Sequence, residues 1–190
     1  MSAGGAGRYT RRNSGMLGAM LVTIAVIVAF VLFRAVTRDD LVVEREAIDY
    51  LSVVEQIQTD AGPGAMQIAY PPALPAGTKA VNVGYDPTRQ WKVDLLADGR
   101  FIGIYQGRFP MTDWVEQLID PDAESGDDVR LDSELGETWQ SWTDDGGDYG
   151  VGIELDDTVL LVFGTADPEL VREVAASLVT TPLEQPGAGD

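Results

Sequence analysis

Residues 13–33 run for 21 positions without a charged side chain, bracketed by Arg8, Arg11 and Arg12 ahead and by Arg34 and Arg38 behind. A helix rises about 1.5 Å per residue and a bilayer core is roughly 30 Å thick, so about twenty such residues cross it. The pattern predicts a transmembrane helix over residues 13–36, with a short tail, 1–12, on one side of the membrane. The first 38 residues hold five arginines and no acid, whereas Asp39 and Asp40 offset the arginines that follow the span. The positive-inside bias then keeps the N-terminus in the cytoplasm and places the body of the chain outside. A cleaved signal peptide needs a shorter apolar core and a small-residue cleavage site, and Phe33-Arg34-Ala35-Val36 is a poor one. Lipoprotein processing has no cysteine to act on, and Arg11-Arg12 lacks the apolar follow-up of a twin-arginine signal. An uncleaved, single-pass anchor in the cell membrane is the expectation.

Charge divides along the same line. The chain carries 13 basic and 31 acidic residues, a net of −18. Setting aside the five arginines of the first 38 residues leaves 8 basic against 31 acidic, or −23, for the extracytoplasmic part. Nucleic-acid binding needs a basic footprint that releases counterions from phosphate, and no stripe or motif supplies one. Anionic lipid headgroups are equally poor partners for the body on this count, the arginines at the membrane edge excepted. Cations, neutral glycans and basic proteins remain, beside the plain reading that excess acid keeps the domain soluble. No cysteine occurs, so the domain does without disulfides and depends on burial. A body of about 150 residues buries roughly 68–70% of its unfolded surface, enough for one core.

Ile48, Leu51, Val54 and Ile57 have helical spacing and predict a short amphipathic helix over 47–59, closed by Gly62-Pro63-Gly64. It falls in a juxtamembrane segment, 37–62, as a stalk or a packed element, and the domain proper is assigned to 63–179. There, 66–70 reads as a strand stopped by Pro71-Pro72, and a second strand follows over 79–85. Strands over 91–96 and 101–106 flank Asp98-Gly99, a strong hairpin signal because both residues tolerate positive φ. Met111, Trp114, Val115, Leu118 and Ile119 restore helical spacing, with Thr112 as N-cap and Asp113 in the first turn. An acidic loop over 120–128 leads to a short strand near 129–131. Strands over 138–142 and 149–155 follow, separated by Asp144-Asp145-Gly146-Gly147-Asp148. Asp156-Asp157 turns the chain into 158–164, the most continuously apolar strand and hence a central one. A last helix opens at Asp167-Pro168-Glu169 and buries Leu170, Val174, Ala175 and Leu178. Residues 180–190, with two prolines and two glycines, read as a flexible tail. The fold class is α+β: a transmembrane helix, then one antiparallel-sheet domain with about two to three packed helices.

Certain short elements recur in a telling order: Arg8-Tyr9, Gly15-Met16, Phe33-Arg34-Ala35, Arg38-Asp39-Asp40-Leu41, Asp49-Tyr50-Leu51, Tyr70-Pro71-x-x-Leu74-Pro75-x-Gly77, Asp98-Gly99-Arg100-Phe101 and Trp139-x-x-Trp142. As a series over residues 8–178 they resemble actinobacterial single-pass membrane proteins, the domain-of-unknown-function four-two-four-five family. Thr78 departs from the aromatic residue expected after Gly77. The resemblance implies an actinobacterial cell envelope and brings no activity, cofactor or catalytic residue.

With no His and no Cys, the chain cannot assemble a Ser-His-Asp or Cys-His site, a His-ligated zinc or a thiol redox centre. Lys79 and Lys92 are the only lysines, and neither sits in a Ser-x-x-Lys motif. A carboxylate-dependent hydrolase needs only two spaced acids, but 31 acids guarantee chance pairs. No catalytic residue, cofactor or metal site is therefore assigned, and the chain is not expected to be an enzyme. Asp120-x-Asp122-x-Glu124 opens like a calcium-binding EF-hand loop, yet Ser125 takes the glycine position and Leu131 that of the bidentate glutamate. A second cluster, Asp144, Asp145 and Asp148, surrounds two glycines. Both read first as solvated turn acids. Trp139 and Trp142, three apart on a strand, point to opposite faces, so at most one is expected in the core. The other, with Tyr149 or Tyr105, offers a flat platform to a sugar ring or a partner protein, against the plainer reading of cross-strand packing. In the span, Gly15, Ala19 and Thr23 recur every four residues, a spacing that permits helix pairing. The expected function is a non-catalytic envelope protein whose acidic domain binds a protein or glycan partner. The alternative is a small-ligand or cation-binding module.

Overall fold

The computed structural model describes residues 20–30 and 46–183. Its strands are β1 (Thr78–Asp86), β2 (Gln90–Ala97), β3 (Arg100–Gly107), β4 (Glu124–Ser125), β5 (Val129–Arg130), β6 (Thr138–Thr143), β7 (Tyr149–Leu155) and β8 (Thr158–Gly164). They form one antiparallel sheet in the order β1-β2-β3-β8-β7-β6-β4, with β5 also paired to β6. Helix α1 covers residues 20–30, and α2 (Tyr50–Asp60), α3 (Met111–Leu118) and α4 (Pro168–Ala176) belong to the sheet domain. The class is α+β, as the hairpin-rich order implied.

Local chemistry explains most of these elements. Asp98 and Gly99 hold φ of 49° and 80°, the backbone of a type I′ turn, which matches the twist of the strands it joins. Ala97 consequently lies opposite Arg100, and the register runs unbroken to Gln90 opposite Gly107. Asp167 caps α4 by accepting a hydrogen bond from the Glu169 N–H, with Pro168 in the first turn. β8 lies in the middle of the sheet and is buried at every position, as its continuous apolar run requires.

Both faces of the sheet are covered. On the first face, Trp91, Val93 and Leu95 of β2, Ile102 and Ile104 of β3, Leu160 and Val162 of β8, and Trp139 of β6 pack with Val54 of α2 and with Val171 and Val174 of α4. On the second face, Val159, Leu161 and Phe163 of β8 and Trp142 of β6 pack under Met111, Trp114 and Val115 of α3 and the adjoining Ile119. Glycines make that second contact possible. A Cβ added at Gly107 would stand 2.6 Å from the Arg89 carbonyl oxygen and 3.0 Å from the Trp114 ring, and one at Gly150 would stand 2.5 Å from Ile119 Cδ1. Removing those side chains lets a helix rich in large residues settle close to the strands.

The fold departs from the sequence reading at several points. Residues 66–70 are not a strand: only Tyr70 makes a β-bridge, to Val179. Met66, Ile68, Ala69 and Tyr70 are buried across the first face, and side chains of the sheet satisfy the backbone there. The Ala69 N–H donates to Gln106 Oε1 (2.6 Å), and Trp91 Nε1 donates to the Ala69 carbonyl (2.8 Å). Of the two readings of the segment before residue 63, stalk or packed element, the packed one holds for the described residues 46–62, because α2 buries Tyr50, Val54 and Ile57 in the core, and the domain therefore begins earlier than residue 63. Pro110, not Thr112, occupies the N-cap of α3. The expected tail is held as far as Leu183: Gln67 and Tyr70 side chains donate to the carbonyls of Thr180 and Thr181, and the Leu183 N–H donates to Gln58.

Of the expected span, residues 20–30 form α1, on which Met20, Leu21, Val22, Val26 and Phe30 are all exposed. Residues 13–19 and 31–36, the tail 1–12, the stretch 37–45 and residues 184–190 lie outside the described residues. Among the described residues no helix is long and apolar enough to cross a membrane.

Candidate functional site

Four aromatic residues carried the sequence-level site, and the fold does not bring them together. Trp139 and Trp142 do point to opposite faces, but each face is covered, so both are buried, at 0% and 9% exposure. The expectation that at most one lies in the core is thereby corrected: the period-two argument assigned faces, and only the packing of α3 buried the second. Trp139 donates Nε1–H to the Gly136 carbonyl at 2.9 Å, inside the first-face core. Tyr149 is buried on the same face, where its hydroxyl accepts from Arg172 Nε (3.1 Å) and the guanidinium stands 5.3 Å from its ring. Tyr105 is half-buried on the second face, edge-on to Trp114 and Phe163. Burial, with the Asp94 charge nearby, pushes its hydroxyl up to about 12. In the sheet order β8 and β7 separate Tyr105 from Trp142.

The concave surface lies around Trp142 instead. A groove of about 530 Å³ has Trp142, Met111, Val115 and Ala123 among its apolar lining, and Glu116, Asp120, Gln140 and Glu154 among its polar lining. Asp120 also lines a second hollow of about 400 Å³, shared with Asp122, Glu124, Thr143, Asp144 and Asp145. The two acidic motifs noted in the sequence thus meet. Their meeting follows from strand pairing, because β4 sets Glu124 opposite Thr143 of β6, the residue before Asp144.

Each loop is shaped by its own carboxylates. The Asp122 N–H donates to Asp120 Oδ1 (2.8 Å), and the Asp148 N–H donates to Asp144 Oδ1 (2.6 Å). Gly147, at φ 93°, closes the turn. Desolvation first, then the charges of Asp144 and Asp120, hold the Asp148 carboxyl above the ordinary carboxylate range. The described residues contain only two ion pairs, Arg108–Asp157 and Arg172–Glu169. Seven carboxylates around the groove and hollow therefore face solvent without a paired cation: Glu116, Asp120, Asp122, Glu124, Asp144, Asp145 and Glu154. Among the described residues no group of three or more acids is placed to hold a metal ion. The arrangement offers a field of negative charge beside an apolar floor, suited to a cationic group with an apolar flank. Sequence reasoning missed Gln140 and Glu154 as lining residues. Period-two alternation places both on solvent-side positions of their strands, but nothing in the sequence says that a loop and a helix rise beside them.

The family model described as "Protein of unknown function (DUF4245)" matches residues 8–178. No curated protein matches the chain.

Two expectations follow from this geometry. Trp139→Ala and Trp142→Ala should each cost about 3–5 kcal/mol in chemical denaturation, since both remove a buried indole; a change within about 0.5 kcal/mol at Trp142 would show that α3 does not cover it. Asp148→Asn should raise the melting temperature at neutral pH and leave it unchanged near pH 3. A carboxyl whose folded pKa is raised supports the fold fully below its unfolded pKa, near 3.9, and loses that support as pH climbs through the folded value. Asparagine does not ionise and so keeps it. A lower melting temperature for the variant at neutral pH would contradict the desolvated reading of this turn.

Proposed function

The chain belongs to that family of unknown function, and we propose that it is a non-catalytic, single-pass membrane-anchored protein of the cell envelope, whose acidic extracytoplasmic domain binds a partner protein. The observation that carries the reading is the meeting of seven carboxylates, none in an ion pair among the described residues, around the groove and its adjoining hollow. At such a contact the surrounding charge supplies steering and selects a basic partner over an acidic one. Anchoring rests on the uncharged run over residues 13–33 and on the arginine asymmetry around it. The second reading, a cation or small-ligand module, draws on the hollow between Asp120 and Asp145. A glycan partner is less well supported, because the aromatic faces that would stack on a sugar are largely buried.

The test combines address and contact in the native host. A reporter active only outside the cytoplasm, fused after Asp190, should be active. A photo-crosslinking residue at Thr112 or Gln140, beside the groove, should give a discrete adduct that Asp122→Asn with Glu124→Gln abolishes, whereas the same residue at Glu55 on α2 should give none. Reporter activity in the cytoplasm removes the envelope reading, and an adduct indifferent to the acids removes the groove.

A further inference from the structure

The acidic total conceals a separation of charge. Residues 78–109 contain five basic and three acidic side chains, whereas residues 110–157 contain one basic and sixteen acidic. The first block is β1, β2 and β3, at one end of the sheet, and the second includes β4, β6 and β7, at the other. With the described residues 46–77, which pack beside β1 and hold four acids and no base, the β1 end carries five basic and seven acidic side chains and is close to neutral, whereas the end that carries the groove is strongly negative.

The β1 end also has an exposed face of distinct composition. On the second face α3 lies over β8, and the side chains on β1 and β2 keep contact with solvent. Lys79 pairs with Leu96 and Gly84 with Lys92 across the β1–β2 ladder, so the two lysines of the chain share this face. Lys92 packs so closely over Gly84 that an added Cβ there would stand 2.8 Å from Lys92 Cε. Its ammonium lies 5.8 Å from the Tyr105 ring, and the Arg89 guanidinium lies 5.6 Å from the Phe109 ring. None of Lys79, Arg89 and Lys92 is in an ion pair among the described residues; the carboxylate on the same face of β2, Asp94, accepts from Asn82 of β1 instead (2.8 Å). Leu96, Phe101, Tyr105 and Phe109 are half-buried between and beside them. Cations interleaved with partly exposed aromatics suit the boundary between headgroups and water, where amphipathic rings and basic side chains gather.

We propose that this face, centred on Lys79, Arg89 and Lys92, docks on anionic lipid headgroups of the membrane to which the chain is anchored. The inference rests on the anchored reading above. Two features favour a bilayer as the occupant. The chain enters the domain against the same strand, because the Ile48 N–H donates to the Ala80 carbonyl at 2.8 Å, one residue from Lys79. The charge separation also makes one orientation favourable on an anionic surface: the acidic groove end is repelled far more strongly than the near-neutral β1 end with its basic face, which leaves the groove facing away from the lipid and open to a partner. Most of the whole-body charge that argued against lipid contact, −15 of −23, lies at the far end of the sheet, in residues 110–157.

The cysteine-free chain makes the test direct. Full-length protein, held by its own anchor at one copy per lipid nanodisc, would carry a single fluorophore at Thr88→Cys or at Asp132→Cys, with an acceptor on the lipid headgroups. Replacing part of the phosphatidylcholine by phosphatidylglycerol should raise energy transfer from position 88 and lower it from position 132. Salt of about 1 M, where the screening length is about 3 Å, should abolish the change, as should the combination Lys79→Gln, Arg89→Gln and Lys92→Gln with an unaltered circular dichroism spectrum. Transfer that ignores lipid charge, or a response that the triple variant retains, overturns the proposal. So does a response seen only with two copies per disc, which identifies the groove of a second copy as the occupant, or one produced by a soluble anionic glycan in neutral discs but not by the lipid. Extraction of the protein from membranes by alkaline carbonate would refute the anchor instead. Co-sedimentation of the full chain with phosphatidylglycerol vesicles, and its loss in the triple variant, would then still decide the docking face.

Discussion

The pairing of β3 with β8 holds the domain together. Every long strand pairing apart from this one joins consecutive strands: β1 with β2, β2 with β3, β6 with β7, and β7 with β8. β3 meets β8 from Gly103 opposite Phe163 to Gly107 opposite Val159, across a gap of more than fifty residues. That ladder fuses two local meanders into one sheet and brings both halves of the core into register. It also carries the polar contact that fastens the irregular 66–70 segment, since Gln106 of β3 donates to the Gln67 carbonyl and to Thr158 of β8, and accepts from Ala69. A buried amide with its partners in place fixes a segment that has no strand neighbour along most of its length.

Glycine on one face of that sheet sets the second layer. Gly107 of β3 and Gly150 and Gly152 of β7 leave room for Trp114, Ile119 and Met111, and β8 between them supplies Val159, Leu161 and Phe163. The result is a sheet buried on both sides near its centre, with one helix on the second face and open ends. One open end becomes the acidic groove beneath Trp142; the other remains an aromatic and basic surface. Both proposed contacts are therefore consequences of a helix too short, at eight residues, to cover the whole sheet.

The charge distribution follows the same geometry. Acidic residues cluster in the loops that flank β4, β5 and β6, where hairpins and irregular connections expose them, and two of the turns spend a carboxylate, Asp120 and Asp144, on their own backbone N–H groups. Strand pairing then gathers these turns at one end, where burial first and then the charges of Asp144 and Asp120 hold the Asp148 carboxyl above its ordinary range, and where none of the clustered acids is in an ion pair among the described residues. A surface of that kind resists self-association and stays available to a basic partner.

Sequence alone determined the elements whose causes are local. The Asp98-Gly99 turn, the capped start of α4 at Asp167-Pro168, the buried run of β8 and the opposite facing of Trp139 and Trp142 all follow from backbone preferences and from a period of two or 3.6 residues, which need no knowledge of the fold. The family resemblance was legible in the same way, as short elements in a fixed order. Only the tertiary structure decided what each face meets. It buried Trp142 under α3, drew α2 into the core, denied residues 66–70 a strand partner, joined two separate acidic motifs into one surface and sent the basic residues of β1 and β2 to the opposite end of the sheet. The reason is physical: periodicity fixes the direction of a side chain relative to its own backbone, whereas burial and local charge depend on neighbours brought in from distant parts of the chain, and the β3–β8 pairing that brings them leaves no local mark.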